Sequence, residues 1–343
     1  MTITRNGEWE VMDFTGLADL VEREDNALEA LSLFEEDFGT TTTVELERIT
    51  VGHDVIGDTA RGGKRNYADK DSAQSETFHI PFFTLDKYVK PNDVQNFRAY
   101  ATADAPESVN NQVTRSMQRI EAGHSFLKRT AMYTALKGNT YAPNSAGTKY
   151  VKNFATVWGV TGDVFTGGVD FTDVNADPAL YIEKNCREHI IAQAKDNAGL
   201  YQVIALVGAG FFNALTTHPL VQAAFDQYSS NQEPLRNRLA PSNGNSVGRL
   251  FEHKGITYIE DVSGEIARGD AYVLPKGIQD MFSIKYAPAD TIEHANTVAS
   301  AMYVFMEETR RAAKMETETS FVCLVTRPEL ICNLTSNTLP AEA

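Results

Sequence analysis

Few residues of this sequence are spaced for chemistry. Val207-Gly208-Ala209-Gly210 follows an apolar run and precedes a helical pattern. Glycines at a strand-to-helix turn let a pyrophosphate approach the helix N-terminus. Asn213 stands in place of the third glycine of a dinucleotide fingerprint, and no acidic residue follows at about twenty positions, Asp226 coming too early and Glu233 falling in a polar stretch. A tight turn that only packs the chain is the stronger reading. Ser125-Phe126-Leu127-Lys128 has the serine–lysine spacing of β-lactamase-like enzymes, but it sits inside a helical pattern with no KTG or SDN companion. Gly123-His124-Ser125 begins like a nucleophile elbow, with Leu127 where the closing glycine belongs. The seven histidines (His53, His79, His124, His189, His218, His253, His294) form no pair at zinc-ligand spacing. Cys186, Cys323 and Cys332 form no CxxC and read as reduced, packed thiols. Arg268-Gly269-Asp270 reads as a surface turn rather than an adhesion site. The local motifs thus give no catalytic residue, metal or cofactor, and leave open an enzyme whose site is built from distant residues.

The chain has 343 residues, 42% of them hydrophobic, enough for one large domain or two ordinary ones. Its formal net charge of -15 repels phosphate backbones and argues against general nucleic-acid binding. No signal peptide is read at the N-terminus, and the longest apolar run, around Val203 to Val207, is too short to span a bilayer. The expected setting is a cytoplasm, without membrane.

Residues 1–37 hold eleven acidic and two basic residues, a net charge of −9, with Leu17, Leu20, Val21, Leu28 and Leu31 at helical spacing. Thr43 to Ile49 alternates like a strand. Residues 57–76 are polar and glycine-rich between two alternating segments, 51–56 and 77–89. That pattern predicts an extended hairpin with a long polar tip, and a loop of this length within a compact domain calls for a function. Reaching a neighbouring subunit would supply one. Residues 106–137 predict a long helix, opened by Pro106, ended by Gly138, and striped by Val109, Val113, Met117, Ile120, His124, Leu127 and Ala131. Tyr150 to Val160 reads as a strand, 178–197 as a second helix, Tyr201 to Val207 as a buried strand, and 211–228 as a helix broken at Pro219. Short strands are expected at 249–251, 256–259, 271–274 and 282–286. The tail reads as two strands, near Tyr303 and Phe321, joined by a charged turn from Glu307 to Glu318.

Several segments, taken in order, resemble the lambda-type (E-family) major capsid proteins of tailed bacteriophages, which have the HK97-like fold. They are Phe38-Gly39-Thr40 before the strand Thr43 to Ile49; Arg61-Gly62-Gly63, then Phe78-His79-Ile80-Pro81 and Tyr88-Val89-Lys90-Pro91; Ala135-Leu136-Lys137-Gly138; Glu252-His253-Lys254-Gly255-Ile256 and Ala271 to Gly277; and Thr326-Arg327-Pro328-Glu329-Leu330. The resemblance runs from about residue 30 to the end and leaves the acidic arm unmatched.

The resemblance implies an α+β fold: an N-arm (1–50), an extended E-loop (51–92), a peripheral domain (93–177 with its spine helix 106–137, and 286–343) and an axial domain (178–285). Helix 211–228 and loop 229–247 would face the capsomer axes. It implies self-assembly into hexamers and pentamers of an icosahedral head around double-stranded DNA, assembled in the host bacterial cytoplasm. Its partners would be copies of itself, a portal, a scaffold or protease, and a decoration protein, with no sequence-specific DNA binding. Some capsids of this fold join an E-loop lysine to a neighbour's asparagine. Lys64 and Lys70 lie on the right loop and Asn333 or Asn337 could receive them, although the family this chain resembles is not generally cross-linked.

The contacts would be driven by apolar burial, with charge setting register. Arg61, Gly62, Gly63, Lys64, Arg65 and Lys70 are the expected inter-subunit residues, the basic ones opposite acidic surface of the next copy. Two alternatives remain: an encapsulin-like compartment for protein cargo, and, from another class, a nucleotide-binding α/β enzyme using Gly208 and Gly210.

Overall fold

A computed structural model describes residues 27–50, 72–94, 109–145, 147–194, 201–227, 248–308, 312–336 and 338–339. The chain divides into two units. Among the described residues the smaller holds 82–94, 109–127, 302–308 and 312–319, and the larger holds the rest.

In the smaller unit, residues of the strand Ala313–Val325 pair antiparallel with Tyr303–Glu308 and with Lys87–Val89 (Met315 faces both Met306 and Lys87). Met315 and Thr317 turn inward, while Lys314, Glu316 and Glu318 alternate outward. This corrects the charged turn expected over Glu307 to Glu318: much of it is strand, with its charges on one face. Val113, Met117 and Ile120 recur at helical spacing and pack on Val89 and Met315. His124 Nε2 lies 3.0 Å from Thr317 Oγ1, and burial lowers the pKa of that imidazole.

These side chains belong to the helix Val109–Leu136, whose 28 residues span about 42 Å. The expected opening at Pro106 lies outside the described residues. In the larger unit the helix ends at Gly138, which adopts φ +93° and needs glycine's freedom. Tyr133 is fully buried there and donates a hydrogen bond of 2.8 Å to Asp261 Oδ1. Asp261 is itself buried, and its carboxylate also accepts from Ser263 Oγ (2.6 Å) and from the Ile266 amide (3.0 Å). Burial, and then the Asp261 charge, push the Tyr133 phenol well above its usual value, so it stays a donor.

The larger unit carries a mixed six-stranded sheet. Its order is Thr166–Gly168, Cys332–Thr335, Asp270–Lys276, Gln202–Val207, Ile256–Glu260, Leu250–His253. The central strand is buried from Val203 to Val207, which explains its unbroken apolar run. The helices Ala209–Thr217 and Pro219–Gln227 follow it, separated at Pro219 as expected. A further helical run starts at Pro178, capped by Asp177, and widens into a π turn over Glu183–Arg187 that keeps Cys186 buried. Elsewhere in this unit Glu35–Phe38 runs parallel to Phe282–Tyr286, with Phe38 stacked on Tyr286 at 4.9 Å and Lys285 paired to Asp37 at 2.6 Å.

Two readings change here. Tyr150 to Val160 is not a strand: Asn153 accepts the Thr156 amide and caps the short helix Phe154–Val157, and that capping outweighs the local β-propensity. The described partner of Ser72–His79 is Thr43–Thr50, read from the sequence as a separate strand, while the expected segment 51–56 lies outside the described residues.

Replacing Tyr133 with Phe removes one of the donors that hold the buried Asp261 charge. Chemical denaturation should show a loss of about 2 kcal/mol; no measurable loss would mean that water or a neighbour replaces the phenol.

Candidate functional site

Arg61, Gly62, Gly63, Lys64, Arg65 and Lys70 lie outside the described residues, as do 51–56 and the tip of the hairpin. The described structure gives the base that carries them. Thr43–Thr50 and Ser72–His79 pair over eight residues, from Thr43↔His79 to Thr50↔Ser72, as a two-stranded sheet of their own. Alternation splits the pair into two faces. Glu45, Glu47, Ser75 and Thr77 are exposed. Val44, Leu46, Arg48, Gln74, Glu76 and Phe78 share the other face.

Three contacts hold that second face. Phe78 is 2% exposed, with its ring 6.3 Å from Phe154 and 6.4 Å from Trp158. Glu76 pairs with Lys152, whose ammonium also donates to the Thr77 carbonyl at 2.7 Å. Arg48 grips Glu329 with two hydrogen bonds, Nη2 to Oε1 at 2.7 Å and Nη1 to Oε2 at 3.3 Å. Glu329 is 3% exposed, and its Oε1 also accepts from Arg327 Nε at 3.3 Å. Arg327 in turn donates to the Gln193 carbonyl, and His189 Nε2 lies 3.1 Å from the Glu329 carbonyl. The sequence reading did not single out Arg48, Glu76 or Lys152 as anchors. Their only signal was charge at alternate positions of strand-like segments, which water explains equally well.

The glycine turn does not hold a nucleotide. A side chain at Gly208 would put its Cβ 2.2 Å from the Ala267 carbonyl oxygen. At Gly210 the same atom would meet Arg268 Cγ at 2.6 Å. The Gly208 amide donates to Asp270 O and the Phe211 amide to Arg268 O, each at 2.9 Å. The chain's own segment 267–270 therefore occupies the space and takes amides that a pyrophosphate would need, which corrects the enzyme alternative. Asp270 of the Arg268-Gly269-Asp270 tripeptide accepts from Thr335 Oγ1 at 2.9 Å, and the Gly269 carbonyl accepts the Ser336 amide at 2.8 Å.

Lys128 of the serine–lysine spacing is paired, and the three thiols are buried. Burial alone would lower the Lys128 ammonium, but its hydrogen bonds to Glu29 (2.8 Å) and Glu36 (2.7 Å) outweigh that and hold its pKa above the lysine norm. It is a poor general base. The three thiols are buried; burial raises Cys323, and contact with Cys186 followed by burial raises Cys332, so neither favours the thiolate. Asn333 lies within a sheet with its Oδ1 buried, while Asn337, Lys64 and Lys70 lie outside the described residues. Among the described residues there is no cluster of His, Cys, Asp and Glu able to hold a metal, and no helix long and apolar enough to cross a membrane.

The sequence model of the family "Phage major capsid protein E" matches residues 19–336. The chain belongs to that family. Among curated proteins, it is 29% identical over 326 residues to the major capsid protein of Pseudomonas phage KPP10, covering 88% of this chain and 89% of that protein. Among solved structures, the capsid of Myoviridae phage XM1 matches with a TM-score of 0.56 at 10% identity, covering 91% of this chain and 92% of that one. The SrpI encapsulin complex of Synechococcus elongatus matches with a TM-score of 0.50 at 10% identity, covering 94% and 91%. The fold of this capsid subunit is HK97-like and α+β, as the resemblance implied.

Gly208→Ala should cost about 3 kcal/mol in denaturant unfolding, because a backbone carbonyl must move. Gly210→Ala should cost less, since the flexible Arg268 side chain can yield. Millimolar ATP or NAD should leave the thermal midpoint of the native chain unchanged; a saturable shift would restore the nucleotide reading.

Proposed function

We propose that the capsid subunit assembles into hexamers and pentamers that close an icosahedral head around double-stranded DNA, in the cytoplasm of a bacterial host. The observation that carries this is the hairpin. Its described strands pair only with each other and are fastened by Phe78, Glu76 and Arg48, and they lead toward a polar tip rich in Gly, Lys and Arg. A polar tip of that length gains little from its own body and much from a neighbour.

Residues 1–50, 51–92, 93–177 with the tail from 286, and 178–285 take the roles of N-arm, E-loop, peripheral domain and axial domain. The last strand, Cys332–Thr335, joins the axial sheet by its pairing with Asp270–Lys276. Arg61, Lys64 and Arg65 meet acidic surface of the next copy, with Gly62, Gly63 and Lys70 beside them. The charge of -15 keeps the inner wall from gripping the packaged DNA. A portal, a scaffold or protease, and a decoration protein complete the particle. An encapsulin shares the fold, but curated sequence relatives are phage capsid proteins, which favours the phage reading.

Expressed full-length chain should give closed shells under negative-stain microscopy. The triple change Arg61→Glu, Lys64→Glu, Arg65→Glu should abolish shells while the thermal midpoint of the free subunit stays within about 2 °C. Normal shells from that variant would remove the basic tip from the contact.

A further inference from the structure

We infer that Glu329 is a shared latch, which lets the hairpin swing about Phe78 without unfolding the subunit. This rests on reading the hairpin as an inter-subunit arm.

The anchors on the body-facing side of the hairpin differ in kind. Phe78 is a pivot: it is closed off from water among Phe154 and Trp158, and pulling it out would open a cavity. Lys152 belongs with that pivot, because it reaches both Glu76 and the carbonyl of Thr77 beside Phe78. Arg48 stands farther out. Phe78 faces Val44 and Arg48 is four residues on, a distance of about 13 Å along the strand. A contact at that distance fixes the angle of the arm.

Breaking a buried ion pair normally leaves an uncompensated charge, which is why such pairs do not exchange. Glu329 escapes that penalty. Its Oε1 is shared by Arg48 at 2.7 Å and Arg327 at 3.3 Å. Arg327 is held near the carboxylate independently, through its bond to the Gln193 carbonyl. When Arg48 leaves, the carboxylate keeps a cationic partner. Arg48 is already 22% exposed, so its guanidinium enters water readily. The arm thus has a fixed pivot and an exchangeable catch. A subunit that meets both hexameric and pentameric neighbours needs this freedom, because one sequence must present its arm at more than one angle.

The test is hydrogen exchange and thermal unfolding of the full-length chain, held unassembled. Arg48→Ala should raise amide exchange of 45–50 and 72–75 at least tenfold, leave Gln202–Val207 unchanged, and leave the thermal midpoint near wild type. Arg48→Lys, which replaces the two-pronged grip with a single bond, should fall between. The double variant Arg48→Ala, Arg327→Ala should lose far more stability than the two single variants combined, because only then is Glu329 abandoned. Two results would overturn the latch: unchanged exchange in the hairpin of Arg48→Ala, or a drop in its midpoint as large as that of the double variant. These readouts do not need particles. Wild-type chain that forms no shells would defeat the capsid reading while the exchange pattern still decided the latch.

Discussion

A carboxylate almost wholly removed from water must be paired, and the way Glu329 meets that demand organises much of the larger unit. Its charge draws Arg48 from the hairpin and Arg327 from two residues upstream. Its carbonyl lies beside His189 of the helical run that starts at Pro178. The short turn Pro328–Leu330 that presents it leads into the strand Cys332–Thr335, the second strand of the six-stranded sheet. One buried charge thus ties an arm, a helix and a sheet strand together. A second buried carboxylate, Asp261, accepts hydrogen bonds from the neutral donors Tyr133, Ser263 and the Ile266 amide. Neutral donors hold a charge in place, and two cations around one charge allow partners to trade.

Close approach of backbone to backbone accounts for the segment that most resembled a chemical site. Gly208 and Gly210 are glycines because Ala267 and Arg268 lie against them. A nucleotide-binding turn uses the same residue for the same reason, to bring something near a helix N-terminus, and the sequence pattern does not say whether that something is a phosphate or the chain itself. Gly208 and Phe211 donate their amides to carbonyls of the segment they approach. The packing thereby excludes the ligand.

The errors in reading the elements share one cause, which is that local pattern competes with tertiary pairing. Lys314-Met315-Glu316-Thr317-Glu318 looked like a charged turn because charge density marks loops. It is a strand because every second residue faces the helix Val109–Leu136 or its neighbours. Tyr150 to Val160 looked like a strand from its β-branched and aromatic residues, and a single side-chain cap from Asn153 made part of it helix. Thr43–Thr50 was legible as a strand, but its partner was not, because register is decided by which face gets buried.

The sequence alone determined the class of element at most positions, through periodicity. It determined the long helix from its stripe, the buried central strand from its apolar run, and the family from ordered short segments such as Thr326-Arg327-Pro328-Glu329-Leu330. It offered no complete local catalytic motif. Only the tertiary structure decided that Arg48 meets Glu329 across 281 positions, that Tyr133 meets Asp261, and that a loop fills the glycine turn. Periodicity is a property of adjacent residues and survives in one dimension. The pairing of distant charges depends on which surfaces the fold removes from water together, and no local pattern records that.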